Sequence, residues 1–211
     1  MISYFKSFKR LWVAIVLIFS SALSQSQGDP KTFKLQFATG INSPSNGGFV
    51  EDFKAKPINF PTINLGLQYM FSHQYGAKLD FGYNRFSNKK DTPEFATNYT
   101  RINAQLVYDA SSFASLGDRM GTFFHAGPGI SMITPLGNYG ANKTNFMNAM
   151  AGVEFHYGIN DALTIYMDGS YIFGFGKSFN PITEGYGAFN GNLLTVTIGA
   201  SISLSGCYYC D

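Results

Sequence analysis

A small set of polar residues in this 211-residue chain could do chemistry. His125 and His156 supply imidazoles, Ser131 and Ser170 hydroxyls, and Asp168 a carboxylate, which are the residue types of an acyl-transfer or hydrolytic site. Such a site needs nucleophile, base and orienting group in mutual reach and facing substrate, and nothing at the level of a motif supports a triad. The three histidines, with no carboxylate at ligand spacing in the sequence, predict no metal site, and no cofactor is expected. Gly127 with Gly129 and Gly174 with Gly176 are not phosphate loops, because no helix follows either pair. Cys207 and Cys210 in GCYYCD could be a redox motif, half of a zinc site or a small disulfide. Without a second CxxC, a nearby histidine or a βαβ context, a tail with a local Cys207–Cys210 disulfide in an oxidising compartment is the expectation.

Ions are sparse, at 13% of residues against about a quarter in an average soluble domain. Five of them, Lys78, Asp80, Arg101, Glu154 and Asp168, share one property: each falls on the polar parity of an alternating segment. In YGAKLDFGYNRF, Ala77, Leu79, Phe81 and Tyr83 alternate with Lys78, Asp80 and Asn84. Period two marks a strand with two chemically different faces. The same pattern recurs around Phe33–Phe37, Ile63–Phe71, Ile102–Tyr108, Phe124–Met132, Met147–Tyr157, Leu163–Phe173 and Leu194–Leu204. Eight strands of about ten residues are therefore predicted, with no convincing helix between them. The fifth is the least regular, because Phe123 and Phe124 are consecutive and Pro128 lacks a donor, so an unpaired or bulged position is expected there.

The connections are unequal. Those after odd-numbered strands are long and polar (42–60, 87–95, 134–145 and 176–191), whereas those after the second and sixth are tight. DASSFASLGDRM, after the fourth, is longer and breaks the rule.

The N-terminus reads as a secretory signal over residues 1–24, with Lys6, Lys9 and Arg10 before an apolar run from Leu11 to Phe19 and small residues at a cleavage site. That run is too short to cross a bilayer as a helix, which needs about 20 apolar residues. Of the fifteen Lys and Arg, the three leader cations depart with the signal, leaving twelve against thirteen acids. A nearly neutral mature chain has no basic stripe for nucleic acid.

Which face points inward is decided by what the polar face contains. In a soluble sandwich the outer face should be dense in charge. Here it is mostly Gly, Asn, Gln, Ser and Thr with single ions, while Tyr69 and Phe71 fall at a strand end, where aromatic rings suit the headgroup level. An even number of short strands, with long loops at one end and short turns at the other, is the pattern of an outer-membrane barrel. The expected fold is all-β: an eight-stranded antiparallel up-and-down transmembrane β-barrel over residues 25–206, followed by a tail at 207–211. Its apolar face would meet lipid and its ions would point into the lumen.

The export signal, the eight strands and segments such as NYTRINAQLVYD and FFHAGPGISM resemble the N-terminal barrel of the OmpA-like family and the related OmpX-type outer-membrane proteins of Gram-negative bacteria. The resemblance spans nearly the whole mature region and rests on alternation and glycine placement. Many members continue into a periplasmic peptidoglycan-binding domain; the sequence reaches Asp211 soon after the eighth strand, so that activity is not carried over. The resemblance is specific for architecture and poor for function; the reading adopted is a monomeric, non-enzymatic envelope protein in contact with outer-membrane lipid and lipopolysaccharide, with a structural or surface-interaction role. The alternatives are a small ion-conducting porin and a lipid-modifying barrel enzyme. Lipid-modifying barrels place their catalytic groups near the outer rim, whereas His156 lies close to the tight turn after the sixth strand.

Within an eight-stranded barrel the interior is filled by side chains, and confined ions must pair. Arg101 is expected at the centre of the cluster, its fork holding two carboxylates. An extracellular ligand would be met by loops 42–60 and 176–191, which carry Phe49, Val50 and Phe53 and Phe179, Tyr186 and Phe189 respectively.

Overall fold

The computed structural model describes residues 32–204, apart from 114–116, 118 and 181–184. The signal segment and Cys207 and Cys210 lie outside the described residues. Eight strands follow in chain order: β1 Thr32–Pro44, β2 Asn59–Met70, β3 Tyr75–Ser87, β4 Ala96–Asp109, β5 Met120–Pro135, β6 Thr144–Gly158, β7 Leu163–Gly174 and β8 Leu193–Ser203. Each pairs antiparallel with the next, and β8 returns to β1 from Pro44↔Leu193 to Lys34↔Ser203, closing the barrel. Closure leaves no strand edge with unpaired backbone groups, as a sheet in hydrocarbon must.

Alternation settles the direction of every strand. On β3, Leu79 is 55% exposed while its neighbours Lys78 and Asp80 are buried. Leu65, Leu67, Ile102, Leu106, Phe124, Ile165, Met167 and Ile198 are likewise exposed on the outside. Around the middle of the barrel the apolar residues therefore form the exterior and the polar residues the interior, the reverse of a water-soluble barrel.

Two irregularities matter. Between β4 and β5 the pairing is interrupted where Gly127 and Pro128 face Gln105 and Ala104, and it resumes in the same register; Pro128 needs an unpaired position and no bulge. Between β1 and β2 the register shifts by one residue between Gly40↔Thr62 and Asn42↔Asn59. That β2 bulge turns Phe60 outward, 70% exposed, while Asn59 stays buried.

At one end the connections after β2 and β6 are tight and the one after β4, 110–119, is longer; Asn160 Oδ1 accepts from the backbone N–H groups of Ala162 (3.0 Å) and Leu163 (2.8 Å) to set the β6–β7 turn. At the other end lie the loops after β1, β3, β5 and β7, here L1 to L4. These are called the turn end and the loop end.

Candidate functional site

The lumen is filled in three layers. At the turn end, Met70, Val107 and Phe123 form a small buried apolar cluster, and Lys34 Nζ stands 5.0 Å from the centroid of the Phe123 ring. Phe124, the next residue, faces outward, so the Phe123-Phe124 pair that blurred the sequence pattern serves both sides of the wall.

The middle layer holds all five ions singled out from the sequence. They come from β3, β4, β6 and β7, because residues of one parity on every strand converge on one axis. Arg101, fully buried, pairs with Asp80 and donates to the amide oxygens of Asn103 and Asn64, each at 3.2 Å. It does not hold two carboxylates, and the expected centre is misplaced. Glu154 is the hub: one oxygen accepts from Lys78 Nζ at 2.5 Å, and the other lies 2.6 Å from His156 Nε2 and 3.2 Å from Gln36 Nε2. A long lysine from β3 can reach across the lumen, whereas the guanidinium stays beside its own wall. Asp168 forms a separate group, with His125 Nε2 at 3.0 Å and Ser170 Oγ at 2.8 and 2.9 Å from its two oxygens.

Two glycines make these groups fit. A Cβ on Gly82, the cross-strand partner of Arg101, would stand 2.6 Å from Arg101 Nε. One on Gly152 would stand 2.4 Å from Ser170 Oγ and 2.6 Å from His125 Nε2. In each case the missing side chain is the space that a polar group occupies.

The expectation that the histidines lack carboxylate partners is overturned. His125, Glu154 and Asp168 bring potential ligand atoms within 4.8 Å of one another, although Asp168 and Glu154 stand 43 and 29 positions from His125 along the chain. Both Glu154 oxygens are already engaged by Lys78, His156 and Gln36, so a cation already sits at this group: the Lys78 ammonium.

From Arg101 a chain of amides and hydroxyls climbs toward the loop end. Asn103 Nδ2 donates to Asn148 Oδ1 (2.5 Å), Asn148 Nδ2 donates to Ser131 Oγ (2.8 Å), and Ser131 meets Tyr99 OH at 2.7 Å. Ser131 thus belongs to this chain and not to the His125 group.

Tyr99 opens the third layer, which the sequence reading missed. Phe86, Tyr99, Phe146, Ile133, Ile172 and Leu193 point inward near the loop end, and Val50, Phe53, Phe95 and Phe189 close over them. The Phe189 ring lies 4.9 Å from Phe49, 5.2 Å from Phe86 and 6.1 Å from Tyr99. Backbone bonds hold the lid: Asn190 N donates to Gly48 O (2.9 Å), and Ser45 N donates to Asn192 O (2.9 Å). Thr97 Oγ1 donates to Gly187 O at 2.5 Å. Phe49, Phe179 and Tyr186 pack against the same cluster. The aromatic residues of L1 and L4 expected to meet a ligand are therefore turned into the barrel mouth.

No family model and no curated protein matches the sequence. Solved structures do. A major outer membrane protein from Thermus thermophilus is similar at a TM-score of 0.57 and 12% identity, over 82% of this chain and 99% of that one. Neisserial surface protein A follows at 0.55 and 12%, over 82% and 96%, and the outer membrane protein OprG from Pseudomonas aeruginosa at 0.53 and 13%, over 83% and 97%. The chain has the small outer-membrane β-barrel fold. In that fold the inward-facing polar residues and the exposed apolar exterior are two faces of one sheet.

Proposed function

We propose that this chain is a non-catalytic, non-conducting outer-membrane barrel with a structural or surface-interaction role in a Gram-negative envelope. It would be exported by a signal cleaved after residue 24, with both chain termini and the turn end in the periplasm and L1 to L4 outside. The observation that carries this reading is the obstruction of the lumen at three levels: an apolar cluster at the turn end, paired ions in the middle and an aromatic lid at the loop end. An ion crossing it would have to displace hydrogen-bonded partners in a poorly hydrated interior, where unpaired charge is costly.

The enzyme reading is disfavoured by geometry. A relay requires the nucleophile on one imidazole nitrogen and the carboxylate on the other. Ser170 Oγ (3.5 Å) and Asp168 Oδ1 (3.0 Å) both approach the same nitrogen, His125 Nε2, and Nδ1 has no partner. His156 is spent on Glu154 beneath the ionic layer.

Planar-bilayer recording tests the proposal directly. Purified protein should show no steady conductance, and membrane fractionation should recover it with the outer membrane. Stable cation-selective channels would favour the porin reading.

A further inference from the structure

The two ends of the lumen are not closed alike. Over the loop end the aromatic rings of L1 and L4 pack onto Phe86 of β3 and Tyr99 of β4. At the turn end a narrow polar recess of about 20 Å³ lies between Lys34, His156, Thr164, Ser201 and Ser203, with the Phe123 ring as its apolar wall and the exposed Asp161 at its mouth. That is room for one water, which needs two to four polar partners.

Partners of that kind line the recess. Ser201 Oγ is buried and bonded to no protein group, an arrangement that costs free energy unless water satisfies it. His156 Nε2 lies 2.6 Å from Glu154 Oε2, and this is the one hydrogen bond of its ring among the described residues. Its Nδ1 is not closed off as the unpaired Nδ1 of His125 is. One imidazole nitrogen therefore serves the ionic layer and the other the recess. The ring is held in that pose between Phe123, at 4.7 Å, and Tyr166, stacked on it at 5.0 Å.

We propose that the recess holds a water and, with His156, forms a proton entry to Glu154 that is open at the turn end only. With Nε2 carrying the ring hydrogen, Nδ1 takes a proton from a hydronium in the recess as Nε2 releases its own to Glu154 Oε2. The water is restored, the carboxylate becomes a neutral acid, and the ring keeps one proton, now on Nδ1. Because the ring is clamped, the proton leaves by the same route in reverse. A neutral acid no longer attracts the Lys78 ammonium on its other oxygen, so acid at the turn end loosens the hub of the ionic layer.

The charged groups around His156 are consistent with Glu154 as the end of the path. Lys34 on β1 and Lys78 on β3 are cations, and the inward residues of β2 and β8 are neutral. Asp80 is taken by Arg101 on β4, and Asp168 on β7 by His125 on β5. Asp109 on β4 lies across from Phe123. Asp161 and, on the 110–119 connection, Arg119 are exposed at the turn end.

The inference goes beyond the proposed role and needs only a barrel that spans a bilayer. The test uses vesicles holding the full mature chain in one orientation, with acid added to one side at a time. Glu154 is followed by the carboxylic-acid infrared band that E154Q removes. Acid at the turn end should raise the band promptly, and acid at the loop end only as fast as the vesicle itself leaks protons. S201V, which replaces the hydroxyl of the recess with methyl groups, should slow the turn-end response by roughly a hundredfold, the lower end of what a positioned proton carrier contributes. H156F, which keeps a ring between Phe123 and Tyr166, should slow it as much; should H156F not fold, S201V alone decides. S131A, on the loop side of Arg101, should respond as the wild type does. Equal responses from the two sides, no band under acid at the turn end, or a turn-end response that S201V leaves unchanged would each overturn the assignment. Failure of the outer-membrane reading would leave the result standing, because the vesicle defines the two sides.

Discussion

The middle and the loop end of the lumen are filled by opposite means. In the middle, Arg101 pairs with Asp80 and Lys78 with Glu154, which also holds His156, so each group depends on named partners. At the loop end, Phe49, Phe53, Phe86, Phe95 and Phe189 share contacts in a cluster whose ring pairs are tilted or edge-on at 4.9 to 5.9 Å. Ion pairing is directional and fails wholly when one member is lost. Aromatic packing is shared, and its loss is graded.

The strongest way to break this contrast is to remove one ion. Arg101→Ala would strand the Asp80 carboxylate in the lumen and should cost about 3–5 kcal/mol, read as a lower unfolding temperature in bilayers. Removing both partners, as Arg101→Met with Asp80→Leu, should restore most of that loss. If the double variant is no better than the single one, the pair is not a matched unit.

The aromatic lid gives the next effect. Phe189→Ala should cost about 3 kcal/mol, the lower part of the range for a buried phenylalanine, because loop residues can close over part of the cavity. Phe189→Leu should cost far less, and thermal unfolding of the two variants measures the gradation. A Leu variant as damaged as the Ala variant would show that the lid, too, depends on one shape.

The smallest effect comes where the two regions join. Tyr99 belongs to the aromatic cluster by its ring and to the polar chain by its hydroxyl, which meets Ser131 at 2.7 Å. Tyr99→Phe keeps the ring and should cost about 1 kcal/mol. A larger loss in the same unfolding assay would mean that Ser131 and Asn148 depend on that hydroxyl to stay in register.

Architecture was legible in the sequence because it is written locally. Whether Lys78 and Asp80 share a face follows from a spacing of two, and the number and orientation of strands follow from repeats of that spacing. Pairing is not local. Glu154 meets Lys78 across 76 positions and Gln36 across 118, and nothing near any of them announces the other. For that reason Arg101 looked like the centre of the ions, and the histidines looked free of carboxylates. The aromatic residues of L1 and L4 were misleading for a different reason. A loop phenylalanine reads alike whether it meets a ligand or folds back, and only the inward parity of Phe86 and Tyr99 beneath them hinted at a core needing a cover.

Closure of the ring has a consequence for how the molecule is made. β1 is the first strand and β8 the last, and their register joins Lys34 to Ser203. Until β8 is delivered, β1 and β7 each present an unpaired edge, and the cross-lumen partners from β3 and β6 have no fixed axis on which to meet. Contacts this distant in sequence form slowly, and open edges invite pairing with other chains. Assembly is thus governed by its final segment: a nascent chain lacking 193–203 has most of its residues and none of its enclosure, and must be kept from its neighbours until the last strand arrives.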